Sequence, residues 1–100
     1  MSESIARFYA EQRFSVAWTK SQIADDAKRV VTKGWPSTPP LVDSDAAVAT
    51  FAERSAEHNP VIVLRPSKLI GLDCDTPEGF EHIARLGLPA TLTAQSSRTV

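Results

Sequence analysis

Two aspartates, Asp73 and Asp75, are separated by one residue at the end of an apolar run. In an extended strand alternate side chains share a face, so both carboxylates would point to the same side. Their Cα atoms would lie about 6.5–7 Å apart, because a strand rises about 3.3 Å per residue. Both could then reach one divalent cation, or a pair of cations about 3.5–4 Å apart. The pattern therefore indicates a metal or phosphate site.

A structural role is the alternative interpretation of this pair. An aspartate that follows a strand and precedes Pro-Glu often only caps a helix, which would account for Asp75 unless Thr76 is the cap. It does not account for Asp73. Two like charges at the end of a buried strand are costly unless a cation or hydrogen bonds compensate them. The residues alone leave both interpretations open.

Positive charge is concentrated upstream of the aspartates, in residues 20–33. A basic run of this kind is usually a solvated face. The alternative is a patch that binds the phosphate groups of a nucleotide or a nucleic acid. The candidate side chains are Lys28, Arg29 and Lys33, with Arg98 near the end of the chain.

The composition is that of a globular protein. The chain has 100 residues, of which 42% are hydrophobic and 23% charged, and its net charge of -1 gives no overall sign of affinity for nucleic acid. A single cysteine excludes an internal disulfide and fits a reducing compartment. No apolar run approaches the roughly 18–20 residues of a membrane span, and the N-terminus has no signal-peptide pattern. We expect one domain in a soluble, cytoplasmic protein.

The elements that position the charged residues follow from the spacing of the apolar ones. Residues 4–13 have the period of a helix, and residues 14–18 alternate like a strand. Residues 21–31 predict a loose helix. Residues 33–40 predict a loop, because one glycine and three prolines cannot continue a helix or a central strand.

The clearest helix begins at Asp43 or Ser44, since either residue is a good N-cap, and extends to about His58. Two apolar segments follow, residues 61–64 and 69–74, and the short link between them predicts an antiparallel β-hairpin. Because residues 61–64 are wholly apolar, we expect them to form a central strand covered on both faces.

Another helix is predicted to begin at Thr76-Pro77, because proline is favoured at the first helical position, and to end at Gly87. A strand is predicted over residues 91–95, so that strand, helix and strand form a right-handed crossover with parallel strands. The predicted fold is α+β (α/β), a mixed sheet with a β-hairpin and a β-α-β unit flanked by helices. The buried stripe of the last helix would comprise Phe80, Ile83, Ala84 and Leu86.

Residues 69–80 and 86–93 together resemble the N-terminal domain of bifunctional DNA primase/polymerases, the prim-pol domain of the archaeo-eukaryotic primase superfamily. The shared features are a hydrophobic-Asp-hydrophobic-Asp motif, a helix start that contains glycine, and a Leu-Pro-x-Thr entry to the next strand. The likeness covers about residues 14–95. The stretch around Asp73 and Asp75 is its specific part.

The resemblance implies a nucleotidyltransferase that makes primers and extends DNA from nucleoside triphosphates when a phage, plasmid or mobile element replicates. Asp73 and Asp75 would be catalytic and would be the first two ligands of Mg²⁺ or Mn²⁺. The implied partners are template and primer DNA and nucleoside triphosphates, with a helicase domain or subunit as a further candidate and no membrane. The candidates for nucleotide or nucleic-acid binding are Lys28, Arg29, Lys33 and Arg98.

The sequence departs from the family pattern in two places. The family has a Ser-x-His signature after the Pro-x-Thr and a further acidic ligand beyond it, and neither precedes Val100. Arg65-Pro66 stands where the family has a glycine between the hairpin strands. We therefore expect residues 1–100 to be a single partial catalytic domain, truncated before the second half of the active site and inactive alone.

Three other classes carry part of the same pattern. Haloacid-dehalogenase-like phosphatases and metal-dependent glycosyltransferases also use Asp-x-Asp, although the phosphatases need Thr or Val where Pro77 stands. The third class is a non-catalytic remnant or a nucleic-acid-binding accessory module. The reaction product separates the enzymes, since only a polymerase releases pyrophosphate. Carboxylate-dependent binding of Mn²⁺ separates an enzyme from a remnant.

Overall fold

The computed structural model describes residues 3–89, 91 and 93. The chain divides into two compact units, Met1–Ile70 and Gly71–Val100. The first unit contains helix α1 (Glu3–Glu11), strand β1 (Ser15–Trp18), helix α2 (Asp45–Arg54) and strand β2 (Pro60–Val63), with short 3-10 helices at Ala24–Lys28 and Trp35–Ser37. The second unit contains helix α3 (Pro77–Arg85). Helices together with an antiparallel sheet confirm the α+β class.

Strand β1 lies at the centre of the first unit. It pairs with β2 in antiparallel register, with Ser15 opposite Val63 and Trp18 opposite Pro60. Its other edge makes isolated bridges, from Ser15 to Pro40 and from Thr19 to Val30. All four residues of β1 are buried. The prediction that residues 61–64 are central is therefore wrong: β2 is mostly half-buried, because β1 takes the covered position.

The predicted hairpin between residues 61–64 and 69–74 is also not formed. The turn after β2 is closed by a bond from the Leu69 N–H to the Leu64 carbonyl oxygen (2.9 Å), and residues 69–75 then have no regular secondary structure. A strand needs a continuous row of hydrogen bonds to a neighbouring strand, and none is made by residues 70–75 within the described part of the chain. The predicted strand 91–95 lies mostly outside the described residues, and with it the β-α-β crossover.

The core of the first unit is aromatic. The ring of Phe51 lies 5.0 Å from that of Trp18 and 5.1 Å from that of Tyr9, and the rings of Tyr9 and Phe14 are 5.6 Å apart. These edge-on and tilted contacts add to the area that the side chains bury. The cluster joins α1, α2 and β1 through Ala6, Ala10, Phe14, Val16, Trp18, Val48 and Phe51.

Helix α2 begins where the sequence predicts. The Ser44 hydroxyl accepts a hydrogen bond from the Ala47 N–H (3.2 Å), which satisfies one of the free N–H groups of the first turn. Arg7 of α1 then binds two carboxylates at this helix start, Asp43 at 2.9 Å and Asp45 at 2.5 Å. The hydrogen bonds with Asp45 and with Asp43 raise the pKa of Arg7 above its ordinary value. Arg7 therefore links α1 to the N-terminus of α2.

Residues 21–31 differ from the predicted loose helix. Only Ala24–Lys28 is helical, of the 3-10 type, and Ile23 is 75% exposed, so its spacing does not mark a buried stripe. The segment then extends, because the Lys20 N–H donates to the Arg29 carbonyl (2.8 Å) and the Val31 N–H to the Trp18 carbonyl (2.9 Å). Pairing with the end of β1 overrides a weak helical preference.

Helix α3 has the predicted ends. The Thr76 hydroxyl accepts from the Gly79 N–H at 3.0 Å, and Gly87 has a φ of 62° just after the helix. This left-handed conformation suits glycine and ends helices. The expected burial of its apolar stripe is wrong, since α3 has no buried residue and Phe80 is 50% exposed. Of the helices in the described ranges, none is long and apolar enough to span a bilayer.

Candidate functional site

Asp73 and Asp75 lie in the irregular segment just before α3, and both are exposed. Cys74 between them is half-buried. This difference in exposure is the one expected if the Cys74 side chain points away from the two carboxylates. Within residues 3–89, neither carboxylate takes part in a hydrogen bond or an ion pair. Both are therefore left for a ligand.

Thr76 takes over the structural role that Asp75 could have had. Its hydroxyl is the N-cap of α3, so the helix does not need the Asp75 carboxylate. Gly79 fits closely under this cap, since a Cβ there would lie 3.3 Å from Thr76 Oγ1 and 3.8 Å from the Cβ of Cys74. The capping interpretation of Asp75 is excluded, and the metal interpretation of the pair stays a prediction.

The donor set of this segment suits a hard cation. Two carboxylates provide oxygen ligands, which Mg²⁺ and Mn²⁺ prefer. Among the residues whose placement is described, no group of three or more His, Cys, Asp or Glu side chains could hold a metal. Mg²⁺ commonly binds through one or two carboxylates, with substrate phosphates and water as its other ligands. A pair of aspartates therefore fits such an ion.

The basic candidates lie in the first unit, as far as they are described. Lys28 ends the first 3-10 helix, Arg29 follows it in extended conformation, and Lys33 lies in the turn after Thr32; all three residues are exposed. Arg98 lies outside the described residues. The structure brings Lys33 into a cleft but does not do so for Lys28 or Arg29.

The cleft at Lys33 contains two residues that the sequence did not identify as binding residues, Arg54 and His58. The Nδ1 atom of His58 lies 2.8 Å from the carbonyl oxygen of Thr19, the residue after β1. The available signal was a basic residue and a histidine four positions apart near the predicted end of this helix. The structure ends α2 at Arg54 and places His58 beyond it, in the turn that follows.

A larger open groove of about 710 Å³ also lies on the first unit. It contains none of the predicted site residues, and Arg65 is its one charged group. Its lining is otherwise Trp35, Pro36, Ser37, Ile62, Val63, Leu64 and Pro66.

A family model described as "Bifunctional DNA primase/polymerase, N-terminal" matches residues 6–100. The chain belongs to this family. No protein of curated function and no solved structure matches the chain at a significant level. The prim-pol match includes the aspartate pair and every basic candidate, so the family implies that the domain interacts with nucleic acid and nucleotides in general.

Proposed function

We propose that this prim-pol domain contributes the first two metal ligands of a nucleotidyltransferase that synthesises primers and extends DNA from nucleoside triphosphates in the replication of a phage, plasmid or mobile element. The observation that carries the proposal is the pair Asp73 and Asp75. Both carboxylates are exposed and unpaired in the described part of the chain, and both fall within the family match. Such charges are suited to hold Mg²⁺ or Mn²⁺ beside a triphosphate.

Nucleotide addition needs little covalent chemistry from the protein. A primer 3′-oxygen bonds to the α-phosphorus, and the bond to pyrophosphate breaks. Bound divalent cations would neutralise the charge that develops on the phosphate oxygens. Asp73 and Asp75 would hold those cations, and the Thr76 cap fixes the helix start next to them. Lys28, Arg29, Lys33 and Arg98 are proposed to bind the phosphates of the template, the primer or the nucleotide.

The first test measures metal binding by the chain itself. Calorimetry with Mn²⁺ compares the wild type with D73N, D75N and the double variant. We expect the double variant to bind at least roughly 100-fold more weakly, since even the partners of metal ligands cost about 10–100-fold when removed. The control is D25N/D26N, which removes two negative charges from the first 3-10 helix. Asp25 is exposed and Asp26 is half-buried. Equal losses in both double variants would mean that only net charge matters.

The second test measures the reaction. Primer extension by a protein that contains the whole catalytic domain should release pyrophosphate, and D73N/D75N should abolish it while D25N/D26N does not. Residues 1–100 alone are expected not to extend a primer. Release of inorganic phosphate would indicate a phosphatase, and transfer of a sugar a glycosyltransferase. Undiminished extension by D73N/D75N would refute the assigned role of the aspartates.

We place this activity in the cytoplasm, where nucleoside triphosphates and template DNA are present. The single cysteine, Cys74, is compatible with a reducing compartment. The proposed partners are template and primer DNA, with a helicase domain or subunit as a further candidate.

A further inference from the structure

A small basic cleft lies beside the end of β1 in the first unit. Its volume is about 200 Å³, which is enough for one compact polar group rather than a whole nucleotide. The walls come from the end of β1, from residues 31–33 after the first 3-10 helix, and from the end of α2 with the turn that follows it. The lining residues are Trp18, Val31, Thr32, Lys33, Arg54 and His58.

Arg54 is held at the cleft by an aromatic ring. Its guanidinium carbon lies 5.9 Å from the centroid of the Trp18 ring, within the range of a cation–π contact. Trp18 itself is 7% exposed and packs on Phe51, so its ring belongs to the core and offers no free face for a base to stack on. The guanidinium is therefore positioned, and its N–H donors remain available.

Two hydrogen bonds with the Trp18 backbone hold the opposite wall in place. The Thr32 hydroxyl oxygen accepts a hydrogen bond from the Trp18 N–H (2.8 Å), and the Val31 N–H donates to the Trp18 carbonyl (2.9 Å). Because the Thr32 oxygen is the acceptor, its hydroxyl hydrogen is still free to donate. This pairing also places Lys33, the next residue, at the mouth of the cleft.

His58 offers a defined ring atom to the same cleft. Its Nδ1 lies 2.8 Å from the Thr19 carbonyl oxygen, and a carbonyl can only accept, so Nδ1 carries a hydrogen. Nε2 is then the atom left for a ligand.

The cations of the cleft have no acidic counterpart. Glu53 and Glu57 are near Arg54 in sequence, but no carboxylate lines the cleft. The ion pairs within the described ranges are those of Arg7 and Arg85, so neither Lys33 nor Arg54 is neutralised. Unpaired cations that converge on a small cavity are suited to an anion with several acceptor oxygens.

We propose that this cleft binds one phosphate group, with Arg54 and Lys33 as its charged donors and Thr32 and His58 as its neighbours. The inference rests on the proposed function only for the source of the phosphate, which is either a DNA backbone or a nucleoside triphosphate. The binding itself requires neither metal nor catalysis. Arg54 and His58 thereby become binding residues of the prim-pol domain.

The test is an NMR titration of the full chain in EDTA with inorganic phosphate, pyrophosphate, a short oligothymidylate and dATP. We expect phosphate or pyrophosphate to shift the amide signals of Thr32 and Lys33 and the ring signals of His58. R54Q and K33Q should each weaken binding about tenfold or more, the effect of losing one charged hydrogen bond. R54K should restore part of it, because lysine keeps the charge but loses the planar fork.

The matched control is R85Q, which removes one arginine charge from the last turn of α3 in the same way that R54Q does from α2. It should bind like the wild type. Displacement of phosphate by the oligothymidylate identifies a nucleic-acid phosphate, and displacement by dATP alone identifies a triphosphate. Unmoved cleft signals, or equal affinity of R54Q, K33Q and R85Q, would overturn the proposal. Because EDTA is present, this result is independent of whether Asp73 and Asp75 bind Mn²⁺.

Discussion

The two units of the chain bury their apolar residues to very different extents. In the first, Phe51 is 3% exposed and contacts other aromatic rings, and every residue of β1 is buried. In the second, α3 has an apolar stripe of the same kind, yet none of its residues is buried and Phe80 is 50% exposed. The aspartate pair lies in this second unit and the basic cleft in the first.

This contrast separates two sources of order. In the first unit the buried aromatic cluster fixes the positions of distant residues, because a closely packed interior allows few arrangements. In the described part of the second unit, order comes from local interactions, above all the Thr76 cap and the Gly87 turn. The basic cleft therefore depends on tertiary packing, whereas the start of α3 beside the aspartates depends on neighbouring residues.

The largest expected difference is between two phenylalanine truncations. F51A should lower the free energy of unfolding by about 3–5 kcal/mol, because it leaves a cavity among buried rings. F80A removes the same atoms from a half-exposed position and should cost much less. Urea denaturation followed by circular dichroism measures both. A loss in F80A as large as that in F51A would show that α3 is stabilised by burial after all.

A smaller difference is expected between the two helix caps. S44A should lower the free energy of global unfolding by about 1 kcal/mol, since the lost hydrogen bond serves a helix that packs in the core. T76A should instead reduce the helical chemical shifts of α3 in NMR spectra and leave the midpoint of urea unfolding unchanged. A shift of the midpoint in T76A equal to that in S44A would remove the distinction between the two units.

The smallest effect concerns exposed charges. R7Q breaks the contacts with Asp43 and Asp45 that join α1 to α2, and should lower the urea midpoint slightly at low salt. The difference from the wild type should shrink at high salt, because the contacts are solvent-screened. R85Q breaks a pair within α3, with Glu81, and should not move the midpoint. A salt-independent loss in R7Q would point to packing of the side chain rather than charge.

Local features of the fold followed from the sequence. The starts of α2 and α3 were predicted because a hydroxyl at the N-cap acts on an N–H three residues later, a contact that the sequence itself contains. The α+β class and the family were likewise recognisable from short patterns, and the family match confirms the latter.

The pairing of the strands was not predictable in the same way. Residues 61–64 and 69–74 are close in sequence and apolar, which favours a hairpin, but β2 pairs with β1, about 45 residues earlier. Which of several apolar segments becomes a neighbour depends on the whole packed unit. The burial of α3 was predicted wrongly for the same reason. An apolar stripe shows which face of a helix could be buried, but not which part of the chain would cover it.

By itself, the sequence determined the identity and spacing of Asp73 and Asp75, the starts of α2 and α3, the end of α3 and membership of the prim-pol family. The end of α2 was predicted at about His58, but the helix stops at Arg54. Only the tertiary structure decided that β1 is the central strand, that Thr76 rather than Asp75 caps α3, and that Lys33, Arg54 and His58 share one cleft. The physical reason is distance along the chain. Capping and turn contacts join residues a few positions apart, whereas the cleft joins residues from Trp18 to His58 through a core that forms only when the unit packs.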